Sequence, residues 1–115
     1  MVTLNLELMQ RARATTQALR REGVVRATYI FGSHVEGRAD QWSDIDIAAF
    51  MDGAESWDIW RRAQIAARVQ KEVGYDIEPH FFSAAALTAP EAGSFAEYVV
   101  QHGIPIDPDE PRPKD

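Results

Sequence analysis

Asp44 and Asp46 stand two residues apart in a stretch where Ile45, Ile47 and Ala49 alternate with them. A strand repeats its side-chain direction every second residue, so this spacing sends both carboxylates to one face. Two neighbouring anions repel unless a cation lies between them, and hard oxygen donors suit Mg²⁺ or Mn²⁺. Upstream, separated from Asp44 by the ten residues His34 to Ser43, sits Gly32-Ser33. Glycine where a strand gives way to a helical turn lets a phosphate oxygen approach successive backbone N–H groups, and the Ser33 hydroxyl adds a donor. A phosphate cradle beside a divalent-metal site is the equipment for phosphoryl or nucleotidyl transfer. Each half has an ordinary explanation when taken alone: Gly-Ser is a common turn, and Asp-x-Asp a common solvated strand face. The specificity lies in their order, between apolar strand segments.

Several elements must hold these residues. Residues 4–21 place Leu4, Leu8, Ala12, Thr15 and Leu19 near a 3.6-residue period, predicting an amphipathic helix that ends near Gly23. Residues 24–31 are β-branched and aromatic and predict a strand, followed by a short irregular or helical turn to Gly37. Residues 38–42 are loop-like, and residues 43–51 predict a half-buried strand carrying the two aspartates. A second helix is expected over 56–73, capped by Asp52 or Ser56 and closed at Gly74, with Ile59, Trp60, Ala63, Ala66, Ala67, Val69 and Val73 on its apolar face and Trp57 nearly opposite. Residues 75–82 predict a third strand, with Pro79 marking an edge or an end. A weaker helix over 94–102 and a short extended piece at 103–106 complete the order. The result is an α/β (α+β) fold, a small mixed sheet flanked by helices, in one domain over residues 1–106. Residues 107–115 are rich in proline and charge and are expected to form a disordered tail.

Composition narrows the function classes. A hydrophobic fraction of 45% and a charged fraction of 26% in 115 residues are ordinary for one water-soluble domain. Neither a membrane-length apolar run nor a secretion signal is present, so the expected location is the cytoplasm and no membrane partner is expected. With no cysteine, disulfide frameworks and cysteine-based zinc sites are excluded. The formal net charge of −6 argues against nucleic acid as a direct partner. A metal-chelated nucleotide is compatible with it, because the metal reverses the local field.

The pattern Gly32-Ser33, ten residues, Asp44-Ile45-Asp46 resembles the signature of the polymerase-β-like nucleotidyltransferase superfamily. Within it the chain is most similar to the minimal, one-domain branch encoded beside HEPN-domain partners. The resemblance is strong over residues 24–82 and implies a palm-like nucleotidyltransferase fold. It implies that Gly32 and Ser33 hold the triphosphate of ATP, that Asp44 and Asp46 hold Mg²⁺ or Mn²⁺, and that a third carboxylate on a later strand completes the catalytic and metal site. Asp76 and Glu78 are both candidates and share a strand face by their spacing; the family register, three residues before Pro79, favours Asp76. Relatives carry a basic residue where this chain has Glu36, which leaves Arg38 as the nearest cation for a phosphate. Ser43 matches the family, either orienting a carboxylate or closing the turn before the strand.

His34, His80 and His102 lack metal-ligand spacing and read as polar neighbours, His34 beside the phosphate loop and His80 on the face of Asp76 and Glu78. Trp42 is expected to pack over the loop, and Trp57 either to contact a partner or to pack back. The function implied is adenylyl transfer to a hydroxyl, foremost a tyrosine of a HEPN ribonuclease toxin for which this chain is the antitoxin. The alternatives are a non-catalytic module that masks a partner by contact, and a small-molecule adenylyltransferase subunit. All three imply homo- or hetero-oligomers.

Overall fold

The computed structural model describes residues 6–40 and 42–107. Helix α1 (Leu6–Arg20) buries Leu8, Ala12, Thr15 and Leu19, the face expected from the sequence; Leu4 lies outside the described residues. Strand β1 (Val25–Phe31) leads into the single turn α2 (Ser33–Glu36), and β2 (Ile45–Met51) follows. Helix α3 (Ile59–Val73), β3 (Ile77–Ser83), the short α4 (Ala85–Thr88), α5 (Phe95–His102) and β4 (Ile104–Pro105) complete the order; α4 has no counterpart in the sequence reading. Asp107 is described, its carbonyl accepting a hydrogen bond from Arg13 at 3.1 Å, while the remainder of the expected tail, 108–115, lies outside the described residues.

Among the described residues four strands form one sheet in the order β3-β2-β1-β4. Strand β1 runs antiparallel to β2 and β4, whereas β2 and β3 are parallel, so the sheet is mixed and flanked by helices, as the sequence predicts. The β2–α3–β3 unit supplies the crossover that parallel neighbours need. Strand β3 lies at the edge, where Pro79, lacking an N–H, is tolerated.

Helices α1 and α3 cover one face of the sheet, packing Leu8, Leu19, Ile65 and Val69 against Ile30, Ile45, Ile47 and Ile77. Helix α5 covers part of the other, where Ala96 and Val99 meet Phe31, Ala48 and Phe50. The half-buried reading of β2 is therefore corrected: Ala48 and Phe50 are fully buried, and Phe50 stacks on Phe82 with ring centroids 5.2 Å apart. Strand β2 is central, so helices cover both of its faces.

Helix α3 also differs from the sequence expectation. A 3₁₀ turn at Ala54–Ser56 delays the helix, and Asp58, not Asp52 or Ser56, caps it by accepting the Arg61 N–H at 2.8 Å. Delaying the start leaves Trp57 ahead of the helix, where it is 9% exposed and packs edge-on against Phe81. Arg62 lies on the inner side and donates to the carbonyls of Ala54, Trp57 and Phe81. Ile59 and Trp60, expected on the core face, are instead 79% and 74% exposed, and Ala63 and Ala67 are exposed beside them. An apolar strip of α3 thus faces outward. No helix of the described residues is long and apolar enough to cross a membrane.

Candidate active site

Strand pairing assembles the site at one end of the sheet. The register sets Asp46 opposite Phe31 on β1 and opposite Glu78 on β3. One residue beyond Phe31 the chain turns at Gly32, with φ 81° and ψ −149°, a combination essentially confined to glycine. A Cβ on Gly32 would lie 2.5 Å from Asp46 Oδ2, so the bare backbone of this turn sits directly against the Asp46 carboxylate. The turn then closes α2 through the Val35 and Glu36 N–H groups, which both donate to the Gly32 carbonyl at 3.0 Å. Among the described residues the Ser33 hydroxyl has no side-chain hydrogen bond that would compete with a ligand.

Glu78 and His80 project from β3 toward Asp46. His80 Nε2 lies 3.1 Å from Asp46 Oδ1 and 3.9 Å from Glu78 Oε1. Ligand atoms of Asp46, Glu78 and His80 all fall within 4.8 Å of one another. Partial burial pushes the Glu78 carboxyl above its ordinary range, and the charges of Asp46 and Asp44 push it further in the same direction. A carboxyl raised by neighbouring carboxylates marks a place where negative charge accumulates and a cation would relieve it. Asp44 itself is exposed and precedes the first residue of β2.

Asp76 is placed differently from Glu78. It also precedes its strand, so the two-residue alternation does not reach it, and its carboxylate is bound by both Arg11 guanidinium nitrogens, one at 2.7 Å. The Arg11 hydrogen bond holds its carboxyl below the usual range. Together with Glu7, His34, Asp40 and Ser43, this pair lines a cleft of about 380 Å³. The structure therefore brings Gly32, Asp46, Glu78 and His80 together, and turns Asp76 toward α1.

The remaining predicted site residues engage protein groups. Arg38 pairs with Glu36, whose other oxygen accepts the Tyr98 hydroxyl; Tyr98 first and Arg38 second hold the Glu36 carboxyl low. Ser43 accepts the Asp40 N–H at 3.0 Å and closes the turn before β2, leaving Asp44 and Asp46 to other partners. His34 Nε2 lies 3.4 Å from the Ser43 carbonyl. Trp42 does not pack over the loop: it is 82% exposed. The residue that sequence reasoning undervalued is His80. Its shared face with Glu78 was legible, but its contact with Asp46 depends on the register of β3 against β2.

The donor set fits a divalent cation: two carboxylates and an imidazole converge, with the Asp44 charge close by. Beside it lies a backbone turn that glycine keeps open. Such an arrangement can hold a polyphosphate and offset its charge.

A profile of the family described as "Polymerase beta, Nucleotidyltransferase" matches residues 14–106. A crystal structure from Sulfolobus solfataricus, provisionally described as a nucleotidyltransferase, superposes with a TM-score of 0.62 at 16% identity, over 87% of this chain and 79% of that one. At that identity the likeness concerns the fold. No curated protein matches the chain.

Proposed function

This chain belongs to the polymerase beta nucleotidyltransferase family, and from that premise we propose that it moves AMP from ATP to a hydroxyl acceptor with Mg²⁺ or Mn²⁺ bound. The observation that carries the reading is the closeness of the Gly32 backbone to the Asp46 carboxylate, with Glu78 opposite on the next strand. In this reading Gly32 and Ser33 hold phosphate oxygens, while Asp46 and Glu78, assisted by Asp44, hold the metal. The third carboxylate is then Glu78, with Asp76 fixing α1 to the sheet through Arg11. A bound divalent ion supplies charge neutralisation along the triphosphate. The acceptor oxygen forms a bond to the α-phosphorus as the bond to pyrophosphate breaks, and the hydroxyl proton passes to a carboxylate of the site. Catalysis is then mainly positioning and electrostatics.

The acceptor in this reading is a protein, foremost a tyrosine of a HEPN ribonuclease toxin neutralised by the modification. The support is a groove of about 450 Å³, lined by Ile59, Ala63, Pro79, His80 and Phe95, that joins the outward apolar strip of α3 to His80, the neighbour of Asp46. An acceptor protein seated there would present its hydroxyl beside the carboxylates. One observation favours a second reading, masking of the partner by contact alone: Arg38, the basic residue that follows the phosphate turn in sequence, is paired with Glu36.

The test is label transfer from α-labelled ATP with Mg²⁺ or Mn²⁺, in the presence of the co-purifying protein, comparing the native chain with Asp46→Asn. Label on the protein that disappears in the variant supports transfer. If label appears on a small acceptor with no protein added, the acceptor assignment is wrong. If the native chain binds nucleotide and metal but transfers nothing, the contact reading replaces catalysis.

A further inference from the structure

We propose that His80 is a direct nitrogen ligand of the divalent ion, so that this site is a mixed carboxylate–imidazole centre favouring Mn²⁺ over Mg²⁺ more strongly than carboxylates alone would. The inference rests on the metal-dependent reading above and concerns which atoms of this chain hold the ion. His80 Nε2 is 3.1 Å from Asp46 Oδ1 and 3.9 Å from Glu78 Oε1, and all three donor atoms lie within 4.8 Å. At these separations small side-chain rotations would bring the three donor atoms onto one ion.

The imidazole is also held in place. Phe31 meets the His80 ring edge-on at 5.0 Å, and Phe95 does so at 6.2 Å, fixing its plane before any ion arrives. Without an ion, the Nε2 position is satisfied by hydrogen bonding to the Asp46 carboxylate, an acceptor when ionised. With the proton on Nδ1, the same Nε2 offers a lone pair to the ion. Mg²⁺ prefers oxygen ligands and dehydrates reluctantly, whereas Mn²⁺, a transition-metal ion at the hard end of its series, accepts an imidazole nitrogen more readily than Mg²⁺ does.

The competing role is that His80 only positions Asp46 by hydrogen bonding. His80→Gln separates the two, because a glutamine amide can donate to Asp46 from nearly the same place but has no imidazole nitrogen. Mn²⁺ would be titrated into the intact chain, alone and with an α,β-methylene ATP analogue, by calorimetry and by pulsed electron paramagnetic resonance. A nitrogen coupling typical of a bound imidazole is expected in the native chain and absent in His80→Gln. Mn²⁺ affinity should fall by more than the roughly 10–100-fold typical of losing an outer-shell partner, and Mg²⁺ affinity by a clearly smaller factor. If Mn²⁺ binds without that nitrogen signal, or if His80→Gln lowers both affinities equally, His80 is a positioning residue and the inference is overturned while the metal-dependent reading stands. If neither ion binds the native chain with or without the analogue, both fall.

Discussion

Gly32→Ala is the substitution whose consequence follows most directly from the geometry. At φ 81° and ψ −149° a side chain is strained wherever its atoms point, which costs about 1–3 kcal/mol. The new Cβ would stand 2.5 Å from Asp46 Oδ2 and 3.3 Å from Cγ. An ordinary carbon–oxygen contact begins near 3.3 Å, so the carboxylate has to retreat by about 0.8 Å. That retreat moves Asp46 off the β1 side and disturbs its placement against His80, 3.1 Å away, and against Glu78 opposite it on β3. A displacement of this size at a reacting site lowers transfer by roughly 100-fold. The control is Gly53→Ala: its φ is 78° and a Cβ there meets nothing within 4 Å, so it carries left-handed strain of about 1–2 kcal/mol and no collision. Urea unfolding of both variants, with Mn²⁺ calorimetry and label transfer on the same preparations, gives the comparison. Gly32→Ala should lose metal binding and transfer while Gly53→Ala keeps both. A Gly32→Ala protein that matched the control in stability and still bound Mn²⁺ like the native chain would refute the close approach of Gly32 and Asp46.

Other expected outcomes separate the acidic residues and the two tryptophans. Glu78→Gln should lower the rate of label transfer by about 100-fold or more, as loss of a catalytic acid–base group does, whereas Asp76→Asn should mainly lower the urea midpoint by breaking the Arg11 pair. Because Arg11 depresses the Asp76 carboxyl, that stabilisation is present above the unfolded carboxyl's pKa of about 3.9 and is lost as pH falls through the lower folded value. Thermal melts from pH 7 to pH 2 should therefore show native and Asp76→Asn chains converging at the acid end. Glu78 has the opposite sign: its folded pKa is raised, so its ionised form opposes folding near neutral pH. Glu78→Gln in EDTA should melt higher than the native chain at pH 7, and excess Mn²⁺ should reverse that order. Trp57→Ala should cost about 3–5 kcal/mol in urea titrations, while Trp60→Ala should change stability by about 0.5 kcal/mol or less and weaken capture of the acceptor protein.

The helices and strands were readable wherever local chemistry decides them. Apolar periodicity marked α1, β-branched runs marked β1 and β2, and Gly32 marked the point where β1 stops. Periodicity misled at α3, because a helix with apolar groups on most of its circumference does not reveal which side a sheet will take. Arg62 went inward since three backbone carbonyls receive it, and Ile59 and Trp60 were left outside. The start of β3 was the other weak point. Asp76 lies just before β3 and is held by Arg11 of α1, apart from the Glu78 with which alternation had grouped it.

By itself the sequence determined which chemical groups exist and roughly where the chain turns: the Gly32-Ser33 turn, the acidic segments 44–46 and 76–78, and the mixed sheet that carries them. Tertiary structure alone decided which of those groups meet. The parallel pairing of β2 and β3 sets Asp46 beside Glu78 and within reach of His80, and a helix distant in sequence supplies the Arg11 that draws Asp76 aside. A shift of one residue in that register would turn every β3 side chain to the other face. Register follows from burying Ile77 beneath α3 while Glu78 stays at the surface, a balance struck by the whole core and not by any local stretch of chain.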